Sequence, residues 1–179
     1  MHWQATIAGL PLEEADEIAL AYALALRDVP DAQALLDAQR ARIGNPDRRV
    51  RFEFVRPAAS PEATERERWF HALAPVAARQ HEVWVGEGLS LLHHPLRAAA
   101  SAGLVKKALD MLPDVNGTGN LFFDSAWLAG TLNGHASAAV AATVQERLDS
   151  LPADYPPKLR ELLLQRSDLL FRAARHQGR

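Results

Sequence analysis

The sequence predicts an all-α fold. Apolar residues recur at helical spacing, most clearly at Ala98, Ala102, Val105, Leu109 and Leu112, which step by four, three, four and three positions. Residue types that cap helices, and prolines suited to a first helical turn, separate the apolar stretches. Runs rich in Val, Ile, Thr and Tyr with strand-like alternation are not found. We therefore expect helices joined by short turns along the whole chain.

Length and composition predict a single α-helical domain over residues 1–179. The chain has 179 residues and is 48% hydrophobic, which suffices for a core without disulfides or metal. Its net charge of −2 argues against nucleic acid as a partner, because phosphate contacts require a basic excess. There is no cysteine to serve as a nucleophile or metal ligand. The sequence contains neither a signal-peptide pattern nor an apolar run of about 20 residues, so no membrane partner is expected.

Five helices are predicted in the first half of the chain. The first begins with acidic residues and is apolar on every face after Ile18, a pattern typical of a helix buried on several sides. Contact of one of its faces with another domain would explain the same pattern. The helices and their signals are 13–27; 31–43; Asn45-Pro46 to Arg56, stopped by Pro57; a fourth opened by Ser60-Pro61; and 80–93, ended by Pro95.

Four more helices are predicted in the second half. The first carries the spaced apolar residues described above, and a loop is expected at 113–120. The remaining signals are Asp124 as the cap of a short helix, Asn133-Gly134 as its left-handed end, Ser137 as the next cap and Pro156-Pro157 as the start of the last helix.

The chain thus contains about nine predicted helices with short connections, which make sequential helices antiparallel neighbours. They fall loosely into pairs of roughly 35–45 residues, the period range of helical repeats. The expected architecture is therefore a set of antiparallel pairs, arranged either as a HEAT/armadillo-like α-solenoid or as an irregular helical bundle.

His93, His94 and Arg97 are the candidate site residues. Adjacent helical residues point in different directions, so the two histidines are not expected to bind one metal ion. Together with Arg97 they can form a polar cluster at a helix C-terminus, where cations are favoured. Such a cluster either packs the helix end or touches an anionic or carboxylate-bearing ligand.

No catalytic or metal-binding residue is predicted. His81-Glu82 starts like the zinc motif HExxH, but position 85 is Val, where the second histidine would stand. The glycine-rich segment 116–120 is not followed by the Lys-Ser/Thr pair of a phosphate-binding loop. None of the serines lies in a GxSxG elbow.

Six segments, in order, resemble the C-terminal helical domain of bacterial-type M1-family zinc aminopeptidases. They span most of the chain from about residue 40 to residue 175. The segments are IGNPDRRVRF (43–52), QHEVWV (80–85), LLHHPLRA (91–98), GNLFF (119–123), WLAGTL (127–132) and LLFRAA (169–174). Two departures from the family pattern are Val83, where proline is expected, and the glycine- and asparagine-rich segment 116–120.

The resemblance implies that this chain is the C-terminal part of a larger peptidase. In that family the zinc ion, HExxH, a further glutamate ligand and a GxMEN-type motif lie in a preceding catalytic domain, and none of these motifs is present here. The helical domain packs against the catalytic domain and helps enclose the chamber for the peptide substrate. The expected partners are therefore the parent's catalytic domain and a peptide, with no cofactor in this chain.

Two other functions remain open from the sequence. A stand-alone HEAT-like scaffold would bind a protein or peptide in a concave groove, as stacked repeats do. A small all-α enzyme using His81, Glu82, His93 or His94 is the third hypothesis, and stoichiometric metal in the purified protein would support it.

Overall fold

The computed structural model describes residues 11–118 and 122–177, and within this part of the chain all regular structure is helical. This confirms the predicted all-α class. Short 3₁₀ helices span Val76–Arg79 and Pro95–Arg97. The α-helices are α1 Glu14–Ala25, α2 Ala32–Arg42, α3 Pro46–Ala59, α4 Ala63–Ala72, α5 Glu82–Leu92, α6 Ala98–Asp110, α7 Leu112–Thr118, α8 Phe123–Leu132, α9 Ala138–Asp149 and α10 Pro157–Gln177.

Several helix starts follow from their predicted caps. The Asn45 side chain accepts a hydrogen bond from the backbone N–H of Arg48, at 3.0 Å, at the start of α3. The Ser137 hydroxyl accepts one from the N–H of Val140, at 3.3 Å, at the start of α9. Each bond satisfies an N–H that has no partner within its own helix.

The predicted boundary between α3 and α4 is wrong. Pro57 does not stop α3, which continues to Ala59 with the proline in its last turn, where one lost backbone hydrogen bond is tolerated. Ser60 is the residue after α3 and does not open α4. Its hydroxyl accepts the N–H of Glu62 at 3.1 Å, and Glu62 immediately precedes α4. The serine therefore shapes the turn between the helices.

Most of the loop predicted at 113–120 is instead helix α7. Pro113 suits a first helical turn, and Val115 is fully buried, so tertiary packing overrides the turn signal of Asn116-Gly117. Gly119 and Asn120, which belong to the same predicted loop, lie outside the described residues.

The end of α8 also differs from its prediction. Asn133 has right-handed helical angles, and no left-handed residue follows it. Glycine is needed at position 134 for space, because a Cβ atom there would lie 1.6 Å from the carbonyl oxygen of His93. A Cβ on Gly130 would likewise lie 2.8 Å from that of Leu89. Later residues of α8 thus face later residues of α5, and the two helices run in the same direction.

Helices α3 and α5, in contrast, run in opposite directions. Arg51 in α3 pairs with Glu87 in α5, and the Phe54 ring lies 5.9 Å from the Trp84 ring, so these helices run antiparallel. The relative direction of packed helices is therefore not the same throughout the fold. Whether the architecture is a regular solenoid stays a prediction.

Buried side chains form two apolar clusters. The N-terminal cluster is built by α1, α2 and α3. The C-terminal cluster is built by α4 to α10, with Ala58 of α3. Phe54 packs against both. The largest fully buried members of the two are Leu36, Ile43 and Phe52 in the first, and Phe70, Leu73, Leu89, Leu92, Leu109, Leu112, Trp127, Leu128 and Leu132 in the second.

Helix α1 is not buried on all sides, although its sequence is apolar all round. Ala21 and Ala25 are fully buried, Leu20 and Leu24 are half-buried, and Ala19 is exposed. The reading of α1 as a central helix is therefore wrong for the described part of the chain. Within that same part, no helix has the length and apolar character needed to cross a membrane.

Candidate functional site

The three candidate residues lie where α5 ends and the chain turns into the 3₁₀ helix before α6. His93 follows the last residue of α5, His94 caps the 3₁₀ helix and Arg97 ends it. Because the helical path changes between them, their side chains reach three different environments. The predicted polar cluster is thus divided into a buried histidine pair, a buried arginine junction and one histidine at a cavity.

His93 is buried against His135, which follows the end of α8. The His93 Nδ1 and His135 Nε2 atoms lie 2.9 Å apart, so one ring donates a hydrogen bond to the other. The His93 Nε2 atom is buried and has no hydrogen-bond partner among the described residues. This hydrogen bond connects the end of α5 with the residues that follow α8.

Burial keeps both imidazoles neutral. Loss of water, and secondarily the neighbouring His135, lowers the pKa of His93 to about 3. Loss of water also lowers the pKa of His135. Among the described residues, neither ring has a carboxylate beside it to compensate a positive charge. The pair is therefore a neutral hydrogen-bonded contact at ordinary pH.

Arg97 is 4% exposed and joins the ends of two helices. Its Nη2 atom donates to the carbonyl oxygen of Ala25, the last residue of α1, at 2.6 Å, and to the Asp28 carboxylate at 2.6 Å. Its Nη1 atom donates to the carbonyl oxygen of Ser60, just after α3. Helix C-termini present carbonyls without partners, so a cation is stabilised there. In each of these hydrogen bonds the acceptor belongs to this same chain.

Two further buried arginines have the same role. Arg66 donates to the carbonyl oxygens of Ser60 and Pro61, both at 2.7 Å. Arg79 donates to those of Leu73 and Ala74, both at 2.8 Å, at the end of α4. Sequence reasoning missed both residues. Each binds carbonyl oxygens five and six residues earlier in the chain, and no sequence pattern distinguishes such an arginine from a solvated one.

Of the three candidate residues, His94 is the one whose side chain is only partly buried. Its Nδ1 atom accepts the N–H of Leu96 at 3.2 Å. Burial, Arg27 and Arg97, in that order, lower the pKa of His94. The ring is therefore neutral, and with Nδ1 acting as acceptor the proton is on Nε2. No described residue accepts a hydrogen bond from that nitrogen.

His94 lines a cavity of about 460 Å³ between α1, α3 and α5. Most of its wall is apolar and comes from one side of α1. Its polar wall residues besides His94 and Tyr22 are Arg48, Arg51 and Glu87. The apolar wall residues are Ala15, Ile18, Ala19, Ala23, Leu26, Phe52 and Leu91. Sequence reasoning did not assign any of these to a site, although the even apolarity of α1 marked its unusual environment.

A second cavity, of about 490 Å³, lies along the contact of α5 with α8. Small residues line it on both helices, and His93 is also part of its wall. The small residues are Gly86, Ser90, Ala126, Ala129, Gly130 and Gly134. Gly130 and Gly134 let α8 and the residue after its C-cap approach the α5 backbone closely.

Among residues 11–118 and 122–177, no three His, Asp or Glu side chains come together as a metal site would require. The chemistry available at His94 is hydrogen-bond donation beside positive charges, which suits binding of an anion. Comparisons with protein-family models, curated proteins and solved structures found no match.

Proposed function

We propose that this chain is the non-catalytic C-terminal helical domain of an M1-type zinc aminopeptidase and helps enclose its peptide-substrate chamber. The observation that carries the proposal is the ordered set of six resembling segments between about residue 40 and residue 175, in a chain without HExxH. Zinc and the catalytic residues then belong to the parent's catalytic domain. Enclosure by this domain would limit substrate length and exclude water from the reaction.

Two features of the structure support this proposal. The resembling segment 91–98 forms the junction at which Arg97 connects α1 with α3 and His93 connects α5 with the end of α8. Leu20 and Leu24 leave a partly open apolar side on α1, away from the cavity. A second domain packed there would complete their burial.

Two measurements test the proposal together. The reading frame upstream of Met1 is expected to encode a segment with HExxH and a downstream glutamate. The purified 179-residue chain is expected to hydrolyse no aminoacyl substrate, with or without added zinc. Hydrolysis by the chain alone that is abolished by a chelator would refute the proposal, because the chemistry would then belong to these helices.

A stand-alone scaffold that binds a protein or peptide is the second candidate function. The groove of about 490 Å³ along α5 and α8 favours it, because it offers space for a side chain of a partner. A reading frame that begins at Met1, with no peptidase segment before it, would make this the better explanation.

A further inference from the structure

The cavity between α1, α3 and α5 combines apolar walls with a positive, hydrogen-bond-donating region. Tyr22 of α1 and Phe52 of α3 stack with ring centroids 5.2 Å apart and form a rigid part of the wall. Ile18, Leu26 and Leu91 add aliphatic surface from α1 and α5. An apolar ligand placed there would remove this surface from water, which is the main favourable term in binding such groups.

The charges around the cavity favour an anion. The two guanidinium groups of its lining add little net charge, because Arg48 is paired with Glu14 at 3.1 Å and Arg51 with Glu87 at 2.7 Å. Arg97 is likewise paired with Asp28, whereas Arg27 adds positive potential at His94 and has no carboxylate partner among the described residues. A ligand ammonium group would be repelled here, whereas a carboxylate would be attracted.

His94 supplies the directional contact. Its Nδ1 atom is occupied by the N–H of Leu96, so the proton on Nε2 is available to an acceptor. A carboxylate oxygen accepts such a hydrogen bond more strongly than a neutral oxygen does, because the acceptor is charged.

From these contacts we infer that the cavity binds a small apolar monocarboxylate, with its hydrocarbon part against α1 and its carboxylate at His94. This inference does not rest on the proposed peptidase function, because the cavity is lined by residues of this chain itself. The same chemistry is offered by a free carboxylic acid and by an apolar residue at the C-terminus of a peptide.

The test is isothermal titration calorimetry of the 179-residue chain with octanoate, at low ionic strength. One molecule is expected to bind per chain. Octanol is expected to bind at least about tenfold more weakly and octylammonium not at all, because only the carboxylate matches His94 and the surrounding charges. Absence of octanoate binding, or equal binding of octanol or octylammonium, would overturn the inference.

Variants locate the binding. Ala19 is exposed and lines the cavity, so A19W fills it without removing a buried contact and is expected to weaken octanoate binding at least tenfold. The matched control is A99W, at an exposed alanine of α6 outside the cavity, which should bind octanoate as the parent chain does. Unchanged binding by a folded A19W variant would place the ligand elsewhere and contradict the inference.

His94 is tested separately, and the two ligand sources are distinguished in the same assay. H94A is expected to lose about tenfold in octanoate affinity, and H94Q, whose amide still donates, is expected to recover most of it. Equal affinity of H94A and the parent chain would remove His94 from the site and overturn its assignment. Tighter binding of octanoate than of acetyl-Leu-Leu identifies a free acid as the ligand, and the reverse order identifies a peptide C-terminus.

Discussion

The N-terminal and C-terminal clusters are stabilised in different ways. Around the N-terminal cluster, ion pairs join different helices: Arg42–Glu17, Arg48–Glu14, Arg40–Glu53 and Arg56–Asp37 connect α1, α2 and α3. Within the C-terminal cluster, Arg147–Asp110 joins α9 with α6, and Arg51–Glu87 and Arg56–Glu65 connect α5 and α4 with α3. The C-terminal cluster has the larger set of buried apolar side chains, including two tryptophans and many leucines.

This difference teaches that one all-α chain can combine two kinds of stability. Burial of large apolar side chains is insensitive to salt, whereas exposed ion pairs are weak and screened. Arg97 and Phe54 link the two clusters. Perturbations can therefore be chosen that weaken one cluster, the other, or the link between them.

The largest effect is expected from W127A in the C-terminal cluster. Trp127 is fully buried, and its indole Nε1 donates to the carbonyl oxygen of Ala108 at 3.0 Å. Truncation leaves a large cavity and an unpaired carbonyl, so the free energy of unfolding should fall by about 4 kcal/mol. Urea unfolding followed by circular dichroism measures this loss.

The matched control is W84A, near the N-terminal cluster. Trp84 is half-buried and stacks on His81 with ring centroids 3.8 Å apart, so its removal creates less buried empty space. We expect roughly half the loss of W127A. Equal losses in the two variants would show that the clusters do not differ in apolar stabilisation.

The second-largest effect is expected from R97M, which breaks the link. Methionine keeps much of the aliphatic stem but removes the charged hydrogen bonds to the carbonyl oxygens of Ala25 and Ser60. Each oxygen retains another donor, the N–H of Asp28 for Ala25 and the Arg66 side chain for Ser60. The predicted loss is about 2 kcal/mol, the cost of the lost charged hydrogen bonds.

Hydrogen exchange gives R97M a second readout. Amides of α1 and α3 should exchange faster than in the parent chain, whereas those of α9 and α10 should change little. R27M is the control, since Arg27 is exposed and its bond within α1 is to the carbonyl oxygen of Ala23. Uniform acceleration throughout the chain would mean that the two clusters unfold together.

Acid is expected to weaken the C-terminal cluster through His93. Its pKa is about 3 in the folded protein and about 6.5 in an unfolded chain, so the unfolded state binds the proton first. Above about pH 6.5 His93 is neutral in both states and does not change the free energy of unfolding. As the pH falls toward 3, protonation of the unfolded state lowers that free energy by about 1.4 kcal/mol per pH unit. Urea unfolding at pH 7, 6 and 5 measures the slope of the free energy of unfolding against pH. H93Q should reduce this slope, whereas H176Q, at an exposed histidine, should not. An H93Q slope equal to that of the parent chain would assign the acid sensitivity to other groups.

Local rules predict much of the fold. Asn45, Ser137 and the prolines at the starts of α3 and α10 mark helix boundaries, because capping depends on residues within one turn. The same rules miss α7, where burial of Val115 decides the conformation. They also misjudge Gly134, whose space requirement comes from His93, 41 residues earlier in the sequence.

The candidate site was only partly predictable for the same reason. His93, His94 and Arg97 can be selected from the sequence as neighbours at a helix end, but their directions depend on the turn at His94. Arg97 contacts a carbonyl 72 residues away, and His93 contacts a histidine 42 residues away. The cavity beside His94 is formed where α1, α3 and α5 pack together, and local sequence patterns do not predict which helices pack against each other.

The smallest effect is expected from the exposed ion pairs, and it measures how much they stabilise the N-terminal cluster. R40Q removes the partner of Glu53 between α2 and α3. At low salt this should cost about 0.5 kcal/mol, and at 1 M NaCl the cost should vanish, because exposed pairs are weak and screened. R172Q is the control: its pair with Asp168 lies within α10, both side chains are about two-thirds exposed, and its removal should change little at either salt concentration. Because R40Q breaks a contact between helices, its cost should depend on salt; equal salt responses of the two variants would show that joining helices by ion pairs adds nothing to the N-terminal cluster.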